Sequence, residues 1–403
     1  MKNPFKFGKE VSGYQFYDRK PDADSLRRKL ADGSTNVVLF APRRYGKTSL
    51  VMRVLERLAV EDGINGICFD MMRIPDVGRF CEEYANAVYG LFGGRRELLH
   101  KLGDYLAHLH PTVTLSGSGM PSITFDYGSR MTATSLAEIL DLPERLAADA
   151  GGKPVVVAFD EFQEVAEMSK DLPLEKIFRS SIQAHRLVRY VFLGSKTHMM
   201  KRMFGDSTRP FYNSAFPMPL GKPPADESME FLASRFGEAG ISLSSSAAQA
   251  IVAASENIPY YLQAVASLTF EAVSSAGRGD VSEADIASAV GTLVGVNSEL
   301  YDERLRNMSN AKRNVVDALA AEPTSVFDER YRERHSLPVS STLHTALKEL
   351  VDDGVVESVA GEYRLSDPMF ANYISQAAAR IFTSGSQSHE TSGGHVVQAC
   401  TLP

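Results

Sequence analysis

Read for apolar periodicity, the first half of the chain alternates short β-branched runs with longer stretches whose apolar residues recur every three to four positions. The runs predict strands at about 36–40, 65–70, 154–160, 190–194 and 216–220, with helical patterns between them and a helix around 23–30 ahead of the first. Such alternation argues for an α/β fold, a parallel five-stranded sheet with helices on both faces. Roughly 80 residues separate the second and third runs. They hold helical patterns near 76–91 and 95–109 and a hairpin of 112–115 with 122–125, and a gap of that length reads as an insertion, at about 71–150, or a partner surface.

From Pro223 the pattern turns helical, with segments near 226–239, 244–256, 259–276 and 282–308 that read as a helical lid. Residues 310–320, 326–335 and 340–352 then predict three helices, and 355–358 with 362–365 two short strands, the outline of a winged helix. Residues 381–403 are rich in Ser, Gly and Thr without apolar period and read as a disordered tail. The expected units are a core at 1–222, a lid at 223–308 and a winged helix at 309–380.

Composition changes this picture little. At 403 residues, 44% apolar and 23% charged, the chain has room for two or three ordinary globular domains. A net charge of −7 gives no global argument for nucleic acid. Cys68, Cys81 and Cys400 are too few and too scattered for a disulfide framework or a zinc site. Met1–Gly8 lacks an apolar core of signal-peptide length, and no run approaches a membrane span, so the expectation is a cytoplasmic protein without membrane contact.

Candidate chemistry begins after the first strand. Val37-Val38-Leu39-Phe40 runs into Ala41-Pro42-Arg43-Arg44-Tyr45-Gly46-Lys47-Thr48-Ser49, and then into an amphipathic helix. This order builds a phosphate cradle: backbone N–H groups line the loop, and the positive end of the next helix faces the same spot. Lys47 is expected on the β- and γ-phosphates and Thr48 on magnesium. Ala41 stands where the strict pattern has glycine, which requires its φ to stay negative.

The third run, Val155-Val156-Val157-Ala158-Phe159, ends in Asp160-Glu161. It reads as a central strand with carboxylates at its C-terminal tip, where ligands bind in open α/β sheets. Asp160 is expected to hold magnesium through water, and Glu161 to take a proton from the water attacking the γ-phosphate. Alone, such a pair is as often a helix N-cap followed by a first-turn acid. Together with Lys47 it points to Mg-NTP hydrolysis.

These residues, with Phe16-Tyr17-Asp18-Arg19, Phe192-Leu193-Gly194-Ser195, Arg209-Pro210-Phe211-Tyr212, Ile258-Pro259-Tyr260-Tyr261 and Tyr363-Arg364-Leu365-Ser366-Asp367-Pro368, resemble the archaeal-type ATPase family of the AAA+/STAND P-loop NTPases, some of which carry a C-terminal winged helix. The resemblance spans residues 10–375. It implies a sheet whose fourth strand lies between those bearing Lys47 and Asp160, with Ser195 beside the γ-phosphate as a sensor. It implies Arg209 as an arginine finger, with Arg43, Lys196 and Arg202 as competitors, and Tyr14, Phe16 and Tyr17 around adenine. Ser195 could instead close a strand into a turn, the four cations form a solvated rim, and the aromatics belong to the core. Family members often carry Gly two residues before the lid proline, where this chain has Asn257.

The expectation is thus an Mg-dependent ATPase acting as a switch, with a catalytic set of Lys47, Glu161, Ser195 and Arg209, controlling a protein client, its own association or DNA. The winged-helix region argues against DNA, because seven Lys and Arg against eleven Asp and Glu over 311–379 leave −4, and phosphate neutralisation supplies much of DNA affinity. Arg330, Arg332 and Arg334 keep open the alternative of a DNA-binding regulator in which ATP is structural. A small-molecule kinase is the third possibility, but no acceptor-binding constellation is visible in 71–150.

Overall fold

The β-branched runs form strands, and their period-two alternation sorts side chains onto two buried faces. In chain order the strands up to the lid are β1 (Val37–Phe40), β2 (Gly66–Asp70), β3 (Pro111–Leu115), β4 (Pro121–Phe125), β5 (Val155–Asp160), β6 (Val188–Gly194) and β7 (Phe216–Pro219). β3 and β4 make an antiparallel hairpin. The other five form one parallel sheet in the order β2-β5-β6-β1-β7, so β6 separates the strand before Lys47 from the strand bearing Asp160, as expected. The computed structural model describes residues 2–8, 19–33, 35–93, 95–115, 121–125, 132–168, 170–324, 326–359 and 361–387. Tyr14, Phe16 and Tyr17 lie outside the described residues.

Val37, Leu39, Val156, Ala158, Val191 and Leu193 share one apolar cluster with α1 (Lys20–Asp32) and α2 (Lys47–Arg57). Val38, Val155, Val157, Phe159, Tyr190 and Phe192 belong to the other, with α3 (Val77–Leu91), α4 (Arg96–Tyr105), α5 (Ala133–Leu140), α6 (Leu142–Asp149), α7 (Leu174–Ala184) and α8 (Thr197–Gly205). Residues 71–150 therefore include helices that cover a sheet face. The hairpin is tied to α3, where the Asn86 amide exchanges two 2.8 Å bonds with the Ile123 backbone and Glu82 accepts from Phe125 N.

The helical region expected to form a lid comprises α9 (Ala225–Glu238), α10 (Ser245–Ala254), α11 (Pro259–Ser275), α12 (Glu283–Val296) and α13 (Ser298–Arg306). The single helix expected over 282–308 is broken at Asn297, which leaves helical geometry while its Nδ2 donates to Leu293 O. The winged helix follows as α14 (Asn310–Ala321), α15 (Glu329–Arg334), α16 (Ser340–Asp352), β8 (Val356–Val359) and β9 (Glu362–Leu365). α15 starts later than the periodicity suggests because Asp328 caps it, accepting from Tyr331 N. A further helix, α17 (Pro368–Gln387), was not predicted and runs past residue 380, so 381–387 are helical rather than tail. Ser and Gly in that stretch masked a helix that starts beneath the wing, where Asp367 accepts from the N–H groups of Met369 and Phe370.

The first apolar cluster runs without a break from the sheet through Leu262, Val265 and Phe270 of α11 to Leu343, Leu347 and Phe370. The second is unusually aromatic. Phe178 is fully buried, with its ring 5.3 Å from Phe80, 5.9 Å from Phe159 and 6.0 Å from Phe162. Phe178→Ala is expected to lower unfolding stability by about 3–5 kcal/mol, read from the denaturant midpoint; a loss under ~1 kcal/mol would show that this face is not packed as described.

Candidate functional site

The loop between β1 and α2 is shaped by its own sequence. Its left-handed residues are Arg44 (φ 71°) and Gly46 (φ 83°), whereas Ala41 is not among the positive-φ residues, so the missing first glycine needs no compensation. Gly46 serves as N-cap of α2. Lys47 follows, only 6% exposed, with Nζ donating to Ala41 O at 2.9 Å and Pro42 O at 3.1 Å. Burial pushes this ammonium down from its usual range, while Glu161 and Asp160 pull it up.

The tip of β5 faces this loop. Thr48 Oγ1 donates to Asp160 Oδ2 at 2.5 Å, and Asp160 Oδ1 accepts from Glu161 N. Burial raises the Asp160 carboxyl, against the Thr48 bond. Glu161 has left-handed backbone (φ 52°, ψ 45°), and its Oε2 accepts from Ser195 Oγ at 2.7 Å, Ser195 N at 3.2 Å and Gln163 Nε2 at 2.6 Å. Burial pushes this carboxyl up, but the donors and Lys47 outweigh it and hold it below the usual range.

Beside the loop opens a cleft of about 1010 Å³, lined by Arg43, Arg44, Gly46, Lys47, Thr48, Ser49 and Glu161 on the sheet side and by Phe7, Pro259, Tyr260 and Gln263 opposite. Phe7 and Tyr260 meet edge to face at 6.0 Å. Among the described residues these rings supply the aromatic wall that sequence reasoning sought in Tyr14, Phe16 and Tyr17; the Pro259-Tyr260 start of a helix was the available signal. Arg19, almost fully buried, also lines the cleft and donates to Tyr45 O at 3.0 Å, which ties it to the loop. Asn257 takes the left-handed conformation (φ 57°) that glycine would give, fixed by its bonds to Pro223 O and Ser228 Oγ, so the lid reaches the loop despite the substitution.

A smaller hollow of about 320 Å³ lies on the other side of the loop, with Pro42, Arg43, Arg44, Ser195 and Lys196 facing the winged helix. Lys47, Thr48, Asp160, Glu161 and Ser195 are thus brought together, and Arg43 lines both spaces. Arg209 is not among them: Glu175 holds its guanidinium in an ion pair, and it lines a separate hollow with Val165 and Leu172. Lys196 is engaged by Glu164 at 3.2 Å.

Chemically, a buried ammonium, a helix N-terminus and Arg43 suit a polyphosphate. Thr48 and Asp160, both hard oxygen donors, would suit a magnesium ion. Lys47→Ala is expected to weaken nucleotide binding about tenfold or more by calorimetric titration, and unchanged affinity would remove the cradle.

Residues 299–376 match the family described as a probable winged helix domain. No curated protein sequence matches the chain. In structure the chain is similar to a Walker-type ATPase of Pyrococcus abyssi, at 16% identity over 92% of this chain and 99% of that one, with a TM-score of 0.63. It is also similar to the ORC2 protein of Aeropyrum pernix, solved as ADPNP–ADP complexes, at 14% identity over 94% and 98%, with a TM-score of 0.55. The chain shares the fold of these two archaeal proteins, and its own architecture is a five-stranded parallel sheet with helices on both faces and a C-terminal winged helix. Among the described residues no helix is long and apolar enough to cross a membrane.

Proposed function

We propose that this chain binds ATP with magnesium, hydrolyses it, and uses the nucleotide to reposition its lid and winged helix for a partner. The reading is supported above all by the docking of the winged helix on the phosphate loop itself. Arg44 Nη1 donates to Asp367 Oδ2 at 3.0 Å, Tyr45 OH donates to Glu357 Oε1 at 2.9 Å, and Arg364 binds both Glu357 and Tyr45 OH. The lid joins the same place, because Tyr260 N donates to Arg44 O and the Arg44 guanidinium lies 5.0 Å from the Tyr260 ring centre. A ligand that orders the loop acts on three units at once.

In this reading Lys47 and the first N–H groups of α2 hold the phosphates, and Thr48 and Asp160 hold magnesium. The ion, when bound, neutralises charge on the phosphate oxygens. Glu161 lines the cleft within reach of the loop and accepts a proton as water attacks the γ-phosphorus. Ser195 orients Glu161 directly, a more specific contact than the expected approach to phosphate.

A protein partner, or another copy of the chain, is favoured over DNA. Of the basic cluster that kept DNA binding open, Arg332 donates to Ser340 Oγ and Arg334 to Glu322, and the C-terminal end of α16 is turned to the core, where Asp352 meets His198 Nε2 at 2.9 Å. Salt-dependent duplex binding by the purified chain would restore the regulator reading.

Two variants test the proposal. Glu161→Gln should keep ATP affinity while phosphate release falls about 10²–10⁴-fold; wild-type turnover would remove Glu161 as the base. Arg44→Ala combined with Asp367→Asn should leave the winged helix looser without ATP, seen as faster proteolytic cleavage near residues 299–310 and a larger radius in X-ray scattering. An unchanged digest and radius would mean that these contacts do not hold the docked state.

A further inference from the structure

Gln163 has no role in the chemistry described so far, yet its surroundings are unusual. It lies in the short helical turn Phe162–Ala166, with phenylalanine and valine as neighbours at 162 and 165, and it is fully buried. Its Nε2 donates to Glu161 Oε2 at 2.6 Å and to Glu164 Oε1 at 3.3 Å, while its Oε1 has no hydrogen-bond partner. The amide orientation is dictated by its neighbours, since turning it over would set its oxygen against two carboxylates. An apolar residue of the same length would spare the orphaned acceptor, so packing alone does not account for glutamine here. The end of β6 makes room for it: a Cβ at Gly194 would stand 2.6 Å from Gln163 Oε1.

The donors around Glu161 share one oxygen. Ser195 N, Ser195 Oγ and Gln163 Nε2 all bond Oε2, and Oε1 accepts none of these three. We infer that Gln163 is a positioning residue for hydrolysis, which together with Ser195 fixes Glu161 through Oε2 and reserves Oε1 to take the proton of the attacking water. The step balances: the water oxygen bonds the γ-phosphorus, the bridging oxygen leaves with the β-phosphate, and the water proton passes to Glu161 Oε1. Gln163 is buried and does not line the cleft, so its action is through the glutamate. Its amide also bridges to Glu164, which Lys196 clamps, so the turn after β5 is tied to the loop after β6.

The inference rests on Glu161 being the base, and a double-mutant cycle separates the two. Gln163→Met keeps length and removes both the donor and the orphaned oxygen, and Gln163→Leu removes both in a shorter side chain without adding charge. Each should lower kcat about 10- to 100-fold, with ATP affinity and melting temperature near wild type. In the Glu161→Gln background, Gln163→Met should cost nothing further, because the residue it orients is already gone. If Glu161→Gln is slow but Gln163→Met turns over normally, the positioning role is overturned and the base stands. An equal added loss in the double variant would also overturn it, showing that Gln163 acts independently of Glu161. If Glu161→Gln itself turns over like wild type, the base falls and this inference with it.

Discussion

A lysine ammonium held against the carbonyls of its own loop is the constraint on which the rest depends. Burying a charge is costly unless it is bonded, and Lys47 is bonded to Ala41 O and Pro42 O while Asp160 and Glu161 stand near enough to favour its charged form. That arrangement closes the loop on itself through Ala41 O and Pro42 O, with Arg44 and Tyr45 between them and Lys47. Arg44 and Tyr45 thereby become the points at which lid and winged helix take hold.

The strengths of those holds differ. Arg44 is substantially exposed, and its pair with Asp367 belongs to the class worth about 0–1 kcal/mol. Glu357 is nearly buried and lies between Arg364 and the Tyr45 hydroxyl, and removing one partner of such a set costs far more than the set contributes. Docking thus combines one weak pair and one buried polar cluster with the apolar cluster that continues from the sheet into the winged helix, and a ligand shifts it only by as much as its affinity differs between docked and undocked states.

The phosphate loop and the acidic strand tip were legible because their chemistry is local: a strand, a turn and a helix start lie within a dozen residues, and the run before Asp160 carries only apolar side chains. Strand order followed from resemblance and matches the sheet. Other features are tertiary and left no periodic trace. The break at Asn297 depends on one side-chain bond, and the escape of Arg209 from the site depends on Glu175, 34 positions away in sequence. Gln163 left little sign, since it stands in sequence between the acids Glu161 and Glu164, and its burial and meaning needed the geometry of Glu161.

The acidity of the winged-helix region, read in sequence as an argument against DNA, has a structural use. Asp352, Glu357 and Asp367 are directed at His198, Tyr45 and Arg44 on the core, and the hollow between the two units sets Arg43, Lys196 and Lys201 against Asp352, Asp353 and Glu357. Phosphate oxygens and these carboxylates seek the same kind of partner, and Arg43 and Arg44 border both the cleft and the hollow. If polyphosphate fills the cleft as proposed, it would compete with the acids of the winged helix for these guanidinium groups, and that competition would loosen docking without any new contact to the winged helix itself.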